Sequence, residues 1–418
     1  MEKLKIGVLR EGKIPVDKRV PLTPKKCLEV QQTFLQIELV VQPSPIRCFT
    51  DKEYTDLGIP LQEDLSDCDV LFGVKEVPVD QLIPSKTYFF FSHTIKKQAH
   101  NQKLLQAILE KKITLIDYET ITNAKGEREV AFGRWAGIVG AYNGLLTYGR
   151  KWNLFYLKPA HQCQDMEDML EEFFKVKNLP NIKIAVTGGG RVTQGAMEVL
   201  ARMGLKEVSV FDYLYKEFSE PVFTQIRSSH YHVRPDVEVW DSNDFYQNPQ
   251  LYKSTFHKFS RVTDLLMACA YWNPAAPVLF TREDMQRPDF KINTIADITC
   301  DVNGSIPCTK RVSTIAEPAF DYNPWTDQLE EPYSSEKNIT IMAVDNLPCE
   351  LPRNASRDFG RQIIDKILPH LFNGDKEGVL KNATITKGGQ LCDKYRYLED
   401  YACPAVTTEN APKLEKLC

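Results

Sequence analysis

The chain has 418 residues, above the usual range for one hydrophobic core, so two domains with separate cores are expected. Its net charge of −4, with both signs dispersed, leaves no basic footprint for nucleic acid or an anionic membrane. No stretch approaches the roughly 18 apolar residues that span a bilayer, and the first residues lead into a strand instead of a signal sequence; a cytoplasmic protein with small-molecule partners, monomeric or homodimeric, is expected.

The first half alternates short apolar strands, at residues 4–9, 37–41, 69–74, 88–91 and 114–117, with polar helical stretches. That interleaving indicates an α/β domain with a largely parallel sheet. Arg19 precedes a helix capped by Thr23, with Pro24 at its first position, and its guanidinium suits a substrate carboxylate. Two strand ends deliver ionisable groups, Gly73-Val-Lys75-Glu76 and Phe89-Phe-Phe-Ser-His93. A parallel sheet aligns such ends along the edge where ligands bind, which puts Lys75 and His93 in one cleft as an acid–base pair. The plainer alternative is a solvated lysine and a strand-capping histidine. Arg10, Lys96, Glu119 and Arg134 are further polar candidates at strand ends and motif edges. Residues 135–146 read as a helix rich in small residues that bridges two domains.

A glycine-rich loop follows: Lys183-Ile-Ala-Val-Thr187 as a buried strand, then Gly188-Gly-Gly190-Arg191-Val192-Thr-Gln-Gly195-Ala196, then a helix over 197–203. Strand, glycine turn and helix together make a pyrophosphate site, with Gly188, Gly190, Arg191, Val192 and Gly195 as its candidates. The spacing departs from G-x-G-x-x-G, because Thr193 takes the usual third glycine position. A second strand is read as ending in Asp212, about 20 residues past the loop, where a carboxylate accepts hydrogen bonds from ribose hydroxyls and favours NAD. The competing reading ends that strand near Ser209 and puts Asp212 in the next loop or helix.

Further strands are predicted at 264–269, 277–280 and 294–298, with 339–344 as the last. Residues 356–372 form an amphipathic segment, with Phe359, Ile363, Ile364, Ile367 and Leu368 on one side, that returns to the first domain. The boundaries are 1–138 plus 347–403 for a substrate and catalytic domain, 139–346 for a dinucleotide domain and 404–418 for a loose tail. The fold class is α/β, with two Rossmann-like doubly wound domains and a cleft between them, the N-terminal domain completed by a C-terminal segment. Eleven cysteines occur without a C-x-x-C pair, and His230-Tyr-His232 lacks a matching ligand motif, so no metal site is expected.

Lys18-Arg-Val-Pro-Leu-Thr-Pro24, Gly73-Val-Lys75, Phe90-Phe-Ser-His93-Thr-Ile-Lys96, Leu115-Ile-Asp-Tyr-Glu119, Ala131-Phe-Gly-Arg-Trp-Ala-Gly137, the glycine loop, Ala296-Asp-Ile-Thr-Cys-Asp301 and Val344-Asp-Asn-Leu-Pro348 together resemble the saccharopine dehydrogenase family, within the group that includes alanine dehydrogenase. The resemblance implies Lys75 and His93 as acid–base catalysts, Arg19, Lys96, Glu119 and, by extension, Arg134 around the substrate, and Asp301 and Asn346 near the cofactor. It implies reversible, NAD-dependent cleavage of saccharopine to lysine and 2-oxoglutarate, with hydride leaving the glutarate-side Cα before water attacks the imine. Two alternatives share the pattern: an NADP-dependent lysine–ketoglutarate reductase and an alanine dehydrogenase. Tyr246, Trp272 and Trp325 fit the saccharopine enzymes better. A dinucleotide sensor would keep the loop and lose the ionisable pair.

Overall fold

The computed structural model describes residues 3–402; the expected tail lies outside them. The chain forms two compact units. One comprises the residues up to Ala131 with those from Pro352 onward, and the other is Phe132–Leu351.

In the first unit, apolar runs build β1 (Leu4–Val8), β2 (Ile37–Val41), β3 (Val70–Phe72), β4 (Thr87–Phe90) and β5 (Thr114–Asp117), all parallel in the order β5-β4-β3-β1-β2. Beyond β5 the sheet continues through two antiparallel strands, Thr384–Lys387 and Gln390–Leu391. The expected amphipathic segment is two helices, Pro352–Lys366 and Leu368–Phe372, with Phe359, Ile363, Ile364, Ile367 and Leu368 all buried. Phe359 packs edge-on against Tyr118 at 5.0 Å, and Ser356 Oγ accepts the Val20 N–H at 2.9 Å. The C-terminal segment therefore supplies both strands and a covering helix to the N-terminal sheet.

The second unit holds β6 (Lys183–Thr187), β7 (Lys206–Glu207), β8 (Val222–Ile226), β9 (His232–Val233), β10 (Lys253–Ser254), β11 (Leu265–Ala268), β12 (Thr294–Asp297), β13 (Ala319–Asn323), β14 (Gln328–Glu330) and β15 (Ile339–Met342). Its main sheet runs β14-β13-β15-β12-β11-β6-β8-β7, parallel from β15 to β7, while β9 and β10 pair separately. One strand expectation is corrected. Residues 277–280 form no strand: Leu279 and Phe280 fill the core from a loop, held where the Leu279 N–H meets the Ser305 carbonyl at 3.0 Å. The strand expected at 339 is the last of this unit in chain order, and in the sheet the antiparallel β13 and β14 lie outside it.

The helix expected at 135–146 spans Gly133–Lys151 and falls within the second unit. It packs against the Arg191–Arg202 helix at two glycines. A Cβ on Gly137 would strike the Val192 carbonyl, and one on Gly195 the Arg134 carbonyl. Gly195 thus sits inside a helix that begins at Arg191, six residues earlier than expected, and serves helix packing rather than a phosphate turn.

Candidate functional site

The polar cluster of the first unit grows from the C-terminal ends of β1, β3, β4 and β5. Buried Glu11, past β1, accepts the Val74 N–H at 2.7 Å and the Lys75 N–H at 2.8 Å, which fixes the turn after β3. Burial and the Asp17 carboxylate raise the Glu11 carboxyl to about 8, against the lowering effect of those two N–H groups. Asp17 is itself buried and takes the Arg19 guanidinium in a fork, Nε to Oδ1 at 3.0 Å and Nη2 to Oδ2 at 2.6 Å. Arg19 is only 2% exposed. It is neither a solvated loop cation nor a fork held open for a carboxylate.

Lys75 is half-buried. Desolvation, then the Arg19 and Lys13 cations, hold its ammonium below the ordinary lysine range, while Glu76 and Asp17 work the other way. His93 follows β4 in a left-handed conformation, φ 53°, that turns its ring toward Glu76. Its Nδ1 lies 2.6 Å from Glu76 Oε1, and Lys13 Nζ lies 2.6 Å from Oε2. Burial raises the Glu76 pKa, but the hydrogen bonds from His93 and Lys13 outweigh it and bring the group to about 2. The strand end is pinned by Ser92, whose N–H donates to Asp117 Oδ2 at 2.9 Å.

Beside this cluster, Lys96 Nζ lies 3.2 Å from Glu119 Oε1, and Arg128 approaches the same oxygen at 3.6 Å. Phe91 joins the groups, stacked with His93 at 6.4 Å and covered by the Arg128 guanidinium at 5.3 Å. Glu119 Oε2 is buried with no hydrogen-bond partner. Lys75, His93, Lys96 and Glu119 thus share one sheet edge. Arg134 belongs to the other unit, its Nε and Nη2 each 2.9 Å from the Glu198 carboxylate, and Arg10 forks onto Glu63.

In the second unit β6 runs into Gly188, where φ is +96° and a Cβ would stand 2.8 Å from Thr193 Oγ1. Thr193, in the usual third glycine place, donates back to the Thr187 carbonyl at 3.0 Å and closes the turn. A Cβ on Gly190 would meet nothing, so the loop is open toward the N-terminus of the twelve-residue Arg191–Arg202 helix. Open glycines before a helix N-terminus fit a diphosphate. Asp301, four residues past β12, and Asn346, four past β15 with φ 65°, follow strands of the same parallel edge.

Asp212 is corrected. Ser209 Oγ caps a helix, Val210–Tyr215, by accepting the Asp212 N–H at 3.0 Å, and Asp212 Oδ1 pairs with Lys216 Nζ at 2.9 Å. The strand next to β6 is β8, registered from Lys183↔Val222 to Thr187↔Ile226. The residue that follows it is Arg227, an exposed side chain whose Nε lies 3.9 Å from where a Gly189 Cβ would be. The apolar run of β8 was the available signal for Arg227. Glu11, Lys13 and Arg128 carried none, since only the packed strand ends bring them to the cluster.

Among the described residues no group of three or more His, Cys, Asp or Glu is placed to hold a metal, and no helix is long and apolar enough to cross a membrane.

The family model for the N-terminal domain of alanine dehydrogenase/PNT matches residues 7–139. Mitochondrial alpha-aminoadipic semialdehyde synthase of Mus musculus is 31% identical over 94% of this chain and 47% of its own length. The Arabidopsis thaliana synthase is 30% identical over 94% and 41%. The NAD(+), L-lysine-forming saccharopine dehydrogenase of Emericella nidulans is 25% identical over 86% and 90%. The chain spans about half the length of the synthases it matches. In fold it is similar to an L-alanine dehydrogenase, TM-score 0.64 at 15% identity over 95% of this chain and 98% of the other. A transhydrogenase of Sinorhizobium meliloti gives TM-score 0.58 at 14% identity over 93% and 98%.

Proposed function

We propose that this chain, a homologue of the saccharopine dehydrogenases and alpha-aminoadipic semialdehyde synthases within the alanine dehydrogenase-like group, is an oxidoreductase that interconverts saccharopine with lysine and 2-oxoglutarate. The observation that carries the reading is the Lys75–Glu76–His93 cluster at the strand ends, with Glu76 bridging His93 and Lys13.

Cleavage of a secondary amine needs one group to take its proton and another to activate water and then protonate the departing amine. Lys75, desolvated among cations, suits the first task because its neutral form is accessible. His93 suits the second. Glu76 holds its Nδ1, which fixes the ring and leaves Nε2 to act on water. The Lys96–Glu119–Arg128 group beside it supplies cations for substrate carboxylates, and Arg19, locked to Asp17, lowers the Lys75 pKa through its charge.

The glycine loop, with Gly188, Gly190 and Arg191, would hold the diphosphate of a nicotinamide dinucleotide, which when bound supplies the redox step. Arg227, in the place expected for a ribose-binding acid, favours the 2′-phosphate of NADP over NAD. The preferred reading is therefore the NADP-dependent lysine–ketoglutarate reductase alternative.

The test is initial-rate oxidation of NADPH and, separately, NADH, with lysine plus 2-oxoglutarate and with ammonia plus pyruvate. Turnover of NADPH with lysine and 2-oxoglutarate is expected. Turnover with ammonia and pyruvate alone would move the chain to alanine dehydrogenase chemistry, and binding without turnover on either pair would make it a sensor.

A further inference from the structure

His93 and Glu119 stand just past two neighbouring strands, β4 and β5, and one carboxylate lies between their segments. Asp117 ends β5 and is fully buried, as are Ser92 and Thr94 on the β4 side. Its Oδ2 accepts both the Ser92 N–H, at 2.9 Å, and the Ser92 hydroxyl. Its Oδ1 accepts the Glu119 N–H at 2.7 Å. The same carboxylate thus ties the residue before His93 to the backbone of Glu119.

The hold on His93 continues through Ser92. Its one hydroxyl proton goes to Asp117, so its oxygen is left to accept, and it takes the Thr94 N–H at 3.2 Å and the Thr94 hydroxyl at 2.8 Å. Asp117 and Ser92 therefore grip the chain on both sides of His93. Between them His93 adopts φ 53° and ψ 12°, a left-handed conformation that a residue with a Cβ keeps only where its surroundings over-determine it. The side chain aimed by this backbone is the ring that meets Glu76 at 2.6 Å. Every side-chain contact of Asp117 asks it to accept, so the ionised carboxylate is the form that fits the loop. Burial pushes its pKa up, the Glu119 charge adding to this, while the donors from Ser92 and Glu119 work against it. An amide of the same shape is no substitute. One of its two ends carries N–H groups and would face another N–H, releasing either Ser92 or Glu119.

We propose that Asp117 is a positioning residue for the acid–base step: through Ser92 it aims the His93 ring at Glu76, and through its other oxygen it sets Glu119 beside Lys96. This rests on the acid–base reading above and adds to it the buried carboxylate that aims its groups. Asp117, fully buried, acts only through the residues it holds.

The test is steady-state kinetics of the whole chain with NADPH, lysine and 2-oxoglutarate, for Asp117→Asn, Ser92→Ala and His93→Gln, and for each of the first two combined with the third. Asp117→Asn should lower kcat roughly 10- to 100-fold, the equivalent of one charge-assisted hydrogen bond, and raise KM for the two substrates through Glu119. NADPH binding, read by fluorescence, should not change. A residue that acts through His93 has nothing left to aim once the imidazole is gone, so Asp117→Asn with His93→Gln should have the kcat of His93→Gln alone. A merely structural loss would act independently of His93, and the two factors would multiply. Ser92→Ala removes the grip on Thr94 and leaves Glu119 held; it should lower kcat less, with KM unchanged and no further loss when combined with His93→Gln, and it carries the test if Asp117→Asn does not fold. Parental kcat in a folded Asp117→Asn, or losses that multiply in either double variant, overturns the proposal. Full turnover in His93→Gln would overturn the acid–base reading instead.

Discussion

His93 Nδ1 and Glu76 Oε1 lie 2.6 Å apart, and the other Glu76 oxygen holds Lys13 at the same distance. With its pKa near 2, Glu76 is anionic throughout the working range, so the histidine always faces a carboxylate and the ring has one orientation. Lys75, next to Glu76 in sequence, feels that same charge and the opposing one of Lys13.

Loss of either proposed acid–base group should be severe. Lys75→Met or His93→Gln is expected to lower turnover on the order of 10²-fold or more, while dinucleotide binding measured by fluorescence persists. Full activity in both variants would remove the pair from the mechanism.

Lys13 helps to hold the Lys75 ammonium below its ordinary range, after burial and Arg19. Removing a neighbouring cation makes the charged form of Lys75 easier to keep. In Lys13→Met the limb of the pH–rate profile that requires neutral Lys75 should therefore move to higher pH; a shift to lower pH would contradict the assignment.

Cofactor choice is assigned to Arg227 and not to Asp212. Arg227→Ala should weaken NADPH binding by roughly 10- to 100-fold, the loss of a charged hydrogen bond, with little effect on NADH. Asp212→Ala, which only frees Lys216, should leave the preference alone. Changed selectivity in the Asp212 variant would return the carboxylate to the ribose.

At the helix crossing, Gly195→Ala puts a methyl group onto the Arg134 carbonyl. Overpacking of this kind costs about 1–3 kcal/mol, to be read as a lower urea midpoint. Gly190→Ala, where the added Cβ meets nothing, should leave the midpoint nearly unchanged.

Glu11 makes stability fall with rising pH. Its carboxyl is raised from 4.5 to about 8 on folding, so below 4.5 both states are protonated and there is no penalty. Between 4.5 and about 8 the unfolded chain ionises while the folded one resists, and stability is lost progressively until the folded group ionises as well. The urea midpoint of the protein, compared with that of Glu11→Gln, should drop across this window and level off above it. A difference independent of pH would show that Glu11 does not carry the proton.

Much of this protein is written locally. Apolar runs such as Leu4–Val8 and Leu265–Ala268, glycines after β6 and the one-sided pattern from Phe359 to Leu368 each state their structure within a few residues, because strand period, turn sterics and helix amphipathicity are short-range. Lys75 and His93 were legible because each lies three residues past the end of a strand, and strand order in a parallel sheet brings such ends together. Tertiary structure alone decided which strand lies beside β6. Ser209 offered its side chain as a helix cap and turned Asp212 away, so β8 took the place and Arg227 its end. It also decided that Glu11 and Lys13 would meet Lys75 and Glu76 more than 60 residues later in the chain. Such pairings depend on register between segments distant in the chain, and no local pattern encodes that.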